Sequence, residues 1–191
     1  MTGPPGGESV RAGDESVLAG QGPRPGPAGA QPPGPARDRD PAGRPRNARP
    51  RDGLGRPLPR GEAGEDRIPD DLAVPPDEAL RLAQGLLDSG RPFHAHEVLE
   101  ASWKAAPPAE RELWKGLAQI AVGLTHARRG NATGAAALLR RGGQRVGGYA
   151  GRAPHRIDAG GIARQAASLA DRIDADGLAA AAGAAADFRL T

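Results

Sequence analysis

Apolar residues recur at helical spacing through the second half of the chain, and never in alternation. Leu80, Leu82, Ala83, Leu86 and Leu87 form one stripe, which predicts a helix from Asp77, as N-cap, to Leu87, with Gly90 ending it. A second helix is predicted from Pro92, at its first turn, to Ala105. Pro107 and Pro108 separate it from a third, Ala109 to Arg129, which Gly130 stops. Asn131 or Thr133 can cap a fourth carrying Ala135, Leu138 and Leu139, and Gly142, Gly143, Gly147 and Gly148 should weaken its later turns. Asp158 can start a fifth helix through about Ile173, and an Ala-rich sixth follows from Ala175 to Leu190. The fold class expected is all-α, a small antiparallel bundle of five to six helices joined by short connections.

Composition changes the picture at the N-terminal end. Residues 1–70 hold 14 Pro and 14 Gly, so 28 of 70 positions, while all five aromatics and all four His lie after residue 90. That stretch lacks the apolar mass to offset the entropy of ordering. Residues 1–67 are therefore expected to be a disordered tail and residues 68–191 the helical domain, too small for a two-domain enzyme. From Ala36 to Arg60 eight Arg face three Asp, a local charge of +5. This segment is the candidate for loose nucleic-acid contact, although no aromatic is interleaved for base stacking. Arg makes up 24 of the 26 basic residues, a bias that points to codon usage as much as to function. There is no Cys, no apolar run at Met1–Leu18 suited to a signal peptide, and none elsewhere long enough to span a bilayer. A cytoplasmic protein without membrane contact is expected.

The third helix is apolar nearly all round, with Leu113, Leu117, Ile120, Ala121 and Leu124 on one stripe and no charge between Lys115 and Arg128. Such a helix is buried. Gly116 and Gly123 would let a neighbour approach closely. Gln119 and His126, seven apart, share a face and need partners if buried. On the second helix, His96, Leu99, Glu100 and Trp103 share a face, with Phe93 at its edge, so His96 and Glu100 are expected to point inward and be largely buried. Glu97 and His94 lie off that face, where solvent is in reach.

Three readings of the polar cluster follow. His96, Glu100, Gln119 and His126 can satisfy one another in a buried network beside Trp103, which suits a structural or protein-interaction module, with a protein partner or self-association. Alternatively, His96, Glu100 and His126 offer three ligands for Zn or Fe, with Glu97 as a general base. The fifth position of the run His96-Glu97-x-x-Glu100 is Glu rather than His, so the zinc-protease pattern is not met. The third reading is a small-ligand pocket between the second and third helices, lined by Trp103, Trp114 and the glycines. Trp114 otherwise reads as core, His155 as a loop residue, Asn131 as a cap and Gly134 as a close-packing point.

The run Phe93-His94-Ala95-His96-Glu97-Val98-Leu99-Glu100-Ala101-Ser102-Trp103, then Gly116-Leu117-Ala118-Gln119-Ile120-Ala121 with His126, then Gly130-Asn131-Ala132-Thr133-Gly134-Ala135, resembles the domain-of-unknown-function 309 family over residues 76–145. It departs from that pattern at Lys115 and Thr125. The resemblance implies a small all-α domain and no particular reaction.

Overall fold

The computed structural model describes residues 49–66, 68–69, 72–152 and 154–190. Five helices follow in order: α1 (Pro76–Asp88), α2 (Pro92–Ala105), α3 (Arg111–Arg128), α4 (Ala132–Gly147) and α5 (Ala159–Ala186), with one 3₁₀ turn at Pro154–Arg156 before α5. Each packs chiefly on the next in the chain, and α4 lies between α3 and α5. Among the described residues the extended structure is limited to an isolated bridge, Arg51 to Pro57. The all-α bundle is the fold expected.

The helix ends follow local chemistry. Gly90, at φ 72°, lets α1 close with two backbone bonds, Gly90 N–H to the Leu87 carbonyl and Arg91 N–H to that of Leu86. Gly130, at φ 80°, does the same for α3 with the carbonyls of Ala127 and His126. Asn131 Oδ1 accepts the Gly134 N–H at 2.9 Å and Asp158 Oδ1 that of Gly161 at 2.8 Å, so α4 and α5 carry the caps expected. Asp77 does not cap α1. Pro76 presets the helical φ, the helix starts there, and Asp77 falls inside its first turn.

The fourth helix does not weaken at its glycines. A Cβ on Gly116 would lie 2.9 Å from the Gly142 carbonyl, and one on Gly142 would lie 2.7 Å from that of Gly116. The α3 and α4 backbones therefore touch. Gly143, on the other side of α4, faces Ala166 and Ala163 of α5. Glycine costs helix propensity here, and direct backbone packing on both sides outweighs it. Leu113, Trp114, Leu117, Ile120, Ala121 and Leu124 of α3 are all buried, as expected for a helix apolar all round.

The C-terminal end departs from expectation. Gly177, at φ 81°, breaks α5 into two segments, and the second ends at Ala186 rather than Leu190. Phe188 and Leu190 are buried outside the helix. Gln84 of α1 holds them by accepting the Leu190 N–H at 2.9 Å and donating to the Phe188 carbonyl at 3.1 Å. At the other end, residues 49–66, counted as tail in the sequence, form a loop lying on the start of α2 and the end of α3. The remainder of that tail, residues 1–48 with half of the basic segment, lies outside the described residues.

The glycine contact predicts opposite effects for one substitution at two sites. Gly116→Ala should destabilise the chain by about 1–3 kcal/mol, because a backbone must move. Gly85→Ala, in an exposed turn of α1 with open space around it, should stabilise by about 0.5–1 kcal/mol. Urea unfolding of both variants measures this, and equal effects would contradict the packing described.

Candidate functional site

The start of α2 lies under the 49–66 loop. Phe93 is gripped by two guanidiniums, with the Arg51 and Arg129 Cζ atoms 5.5 and 5.9 Å from the ring centre. The Gly55 backbone rests on the same ring, so close that a Cβ there would clash with it. Arg129 Nε donates to the Leu54 carbonyl at 2.9 Å, and Nη2 donates to it as well. Glu65 Oε2 lies 2.5 Å from Arg91 Nη2 and 3.8 Å from His94 Nε2.

His94 is accordingly 2% exposed, against the expectation that it reaches solvent. Glu65 and the Asp66 backbone of the 49–66 loop lie against it. Burial pushes the His94 pKa below the ordinary 6.5, helped by the Arg91 charge and opposed by Glu65 and the Asp66 backbone. Among the described residues, His94 Nδ1, His96 Nδ1 and Arg91 Nε are buried with no hydrogen-bond partner.

The inward residues of α2 are Ala95, Val98 and Leu99. His96, Glu100 and Trp103 sit on the flank of that stripe and are half-buried; the Glu100 side chain is 34% exposed, more than expected. The sequence assigned the face one position too far round, because Leu99 belongs to both stripes. His96 Nε2 lies 3.3 Å from Glu100 Oε2, and Lys104 Nζ lies 3.1 Å from Glu100 Oε1, which makes a ladder of one-turn steps along the helix. Desolvation lowers the His96 pKa, against the pull of Glu100. Lys115 Nζ stands 5.7 Å from the centre of the Trp103 ring. Glu97 is half-buried.

On α3, Gln119 and His126 turn to different partners. Gln119 Oε1 accepts from Arg145 Nε of α4 at 3.1 Å, and Arg145 also pairs with Glu112. His126 Nδ1 lies 2.9 Å from Asn131 Nδ2. The amide donates, so this ring nitrogen accepts and the ring proton is assigned to Nε2. That fits a pKa lowered by burial and by the Arg129 charge. Gly134 leaves the room this contact needs, since a Cβ there would lie 2.4 Å from His126 Nδ1.

The four-residue network expected is therefore three separate contacts. His96 pairs along α2, Gln119 joins α3 to α4, and His126 braces the α3–α4 corner. Among the described residues no three His, Cys, Asp or Glu side chains are placed to hold a metal ion. The reading of His96, Glu100 and His126 as a Zn or Fe site expects three converging side chains, whereas the contacts described send His96 to Glu100 on α2 and His126 to Asn131.

Two parts of the lining expected for a pocket between α2 and α3 are taken up by packing. Trp114 is 1% exposed, and the space at Gly116 and Gly123 is taken by Val146, Gly142 and Leu139 of α4. A cavity of about 420 Å³ opens instead where the α1–α2 turn, the end of α3 and the broken part of α5 meet.

One cluster escaped the sequence reading. Glu110 Oε2 accepts from Trp114 Nε1 at 3.2 Å and lies 2.7 Å from His155 Nε2, with the Trp114 and His155 rings 5.8 Å apart. The His155 hydrogen bond, more than that from Trp114, holds the Glu110 carboxyl below its ordinary range against a burial penalty. His155 and Arg156 both take positive φ, 51° and 59°, in the 3₁₀ turn that delivers the ring. The one-turn spacing of Glu110 and Trp114 was the available signal; the 45-residue separation from His155 hid the third member.

These features define a small helical-bundle domain in which Gln119 and Arg145 join α3 to α4, Asn131 holds His126 at the corner between them, and His96 pairs with Glu100 along α2. Residues 80–138, from α1 into the first half of α4, match the family described as Domain of unknown function (DUF309), so the resemblance read from the three sequence blocks holds. The chain is 48% identical over 48 residues to the uncharacterized protein YpuF of Bacillus subtilis (strain 168), a stretch covering 25% of this chain and 28% of that relative. No solved structure matches the chain.

The desolvated histidines set a pH dependence. His94, His96 and His126 have folded-state pKa values below 6.5, so the unfolded chain takes up protons first as the pH falls. Their contribution is present in full above 6.5 and is lost as the pH drops from there towards the lowered folded values. The melting temperature should be lower at about pH 5.5 than at about pH 7.5, and His94→Gln should narrow that gap. An unchanged gap would mean that His94 is not desolvated as described.

Proposed function

We propose that this chain is a noncatalytic helical module, a structural or protein-interaction domain in which Gln119 and His126 lock the angle between α3 and α4. The observation that carries this reading is the division of His96, Gln119 and His126 among separate local partners. A catalytic site needs its acid, base or nucleophile aimed at one point. Here His96 is aimed along its own helix, Gln119 at α4 and His126 at the turn after α3. Matching Asn131 serves two roles at once, capping α4 and holding the His126 ring.

A protein partner or a second copy of the chain is the class of binding partner that suits such a module. Nucleic-acid contact is less suited to the part of the basic segment that is described, because Arg51 is engaged by the Gly55 carbonyl and the Phe93 ring. No helix among the described residues is long and apolar enough to cross a membrane. With no Cys, nothing in the chain calls for an oxidising compartment, and we place it in the cytoplasm.

The Gln119–Arg145 contact is the cleanest test, because neither residue caps a helix. Gln119→Ala, Arg145→Ala and the double variant, unfolded in urea, should show a coupling of about 0.5–3 kcal/mol. Additivity to within about 0.3–0.5 kcal/mol would contradict the locking role.

A further inference from the structure

The cavity beside α5 has the properties of a ligand site. Its volume of about 420 Å³ falls within the range of roughly 300–1,000 Å³ typical of small-molecule sites. Leu87, Leu124, Ile173, Leu178 and Ala181 give it an apolar interior, and Arg128 stands in its wall. Its existence follows from the sequence. Gly177 breaks α5 between Ile173 and Leu178, and the segment after the break carries mainly Ala, whose methyl groups cannot fill the space. Unfilled apolar space lowers stability, so a ligand that fills it gains what the core forgoes.

The charge at this cavity is uneven. Asp88, the one acidic residue in its lining, is already neutralised, with Oδ1 2.6 Å from Arg189 Nη1 and 2.9 Å from Gln84 Nε2. Arg128 is exposed, lies against the Gly90 backbone, and makes no ion pair or hydrogen bond with another described residue. The carbonyls at the neighbouring ends of α1 and α3 are bonded to the N–H groups of Gly90, Arg91, Gly130 and Asn131, which blunts their negative field. An apolar chamber with one unneutralised guanidinium in its wall matches an apolar anion, and guanidinium binds carboxylate well.

We propose that this cavity binds a medium-chain carboxylate, with the hydrocarbon chain inside and the carboxylate on Arg128. The site is separate from the α2 signature residues, so the proposal stands or falls apart from the scaffold reading.

Calorimetric titration of the full chain with decanoate, below its micellar concentration, tests it. One decanoate should bind per chain. Octanoate should bind about tenfold more weakly, for two methylenes lost from an apolar site. Arg128→Glu, an exposed change that leaves the core intact, should weaken decanoate by about fivefold or more and leave decanol within about twofold. Ala185→Leu, which adds bulk to the chamber wall, should weaken both. Decanol binding as tightly as decanoate, decanoate indifferent to both variants, or no binding at all would overturn the proposal. So would a stable dimer in sedimentation that Ala185→Leu disrupts, since a second copy of the chain would then be the occupant.

Discussion

The bundle depends on the backbone contact between α3 and α4 at Gly116 and Gly142. Each glycine leaves room for the other's carbonyl, and no side chain larger than hydrogen fits either position without a shift. The contact seals α3 on one side while α2 seals another, and so its apolar residues become the centre of the domain. It also determines which polar atoms of α3 meet which partners. With α4 this close, Gln119 reaches Arg145, and the turn between the two helices is tight enough for Asn131 to hold the His126 ring. Gly143 repeats the arrangement towards α5, so α4 is held by direct packing on two faces.

Much of the fold was legible because its punctuation is local. Pro92 at the start of α2, the caps Asn131 and Asp158, and the stops at Gly90 and Gly130 all act within a few residues of where they stand. The errors came from position-dependent chemistry. The glycines of α4 read as helix weakeners by propensity, yet their role depends on a partner backbone that propensity does not describe. Phe188 and Leu190 continue an apolar pattern, yet leave the helix because Gln84, more than a hundred residues earlier, offers both a donor and an acceptor.

The candidate site was legible residue by residue but not as a site. Periodicity identifies side chains that share a helix face. It carries no information on what the opposite surface presents, so His96, Glu100, Gln119 and His126 could be grouped from sequence although they engage different neighbours. His94 shows the converse. Its place off the main apolar stripe suggested solvent, and a loop from the Pro- and Gly-rich region covers it. His155 is reached only through a turn of positive φ that its residue types do not announce. Desolvation lowers the pKa of His94, His96 and His126, which links their contacts to pH.

The central claim is that the signature histidines belong to independent local contacts. It is tested most directly by following each imidazole by NMR through a pH titration of the wild type and of Glu100→Gln. Removing the Glu100 charge should lower the His96 pKa further, since that charge is the larger of two influences opposing desolvation, the other being the Ala118 backbone, and leave His126 and His94 unmoved. A joint shift of His96 and His126 would place them in one coupled cluster and contradict the account.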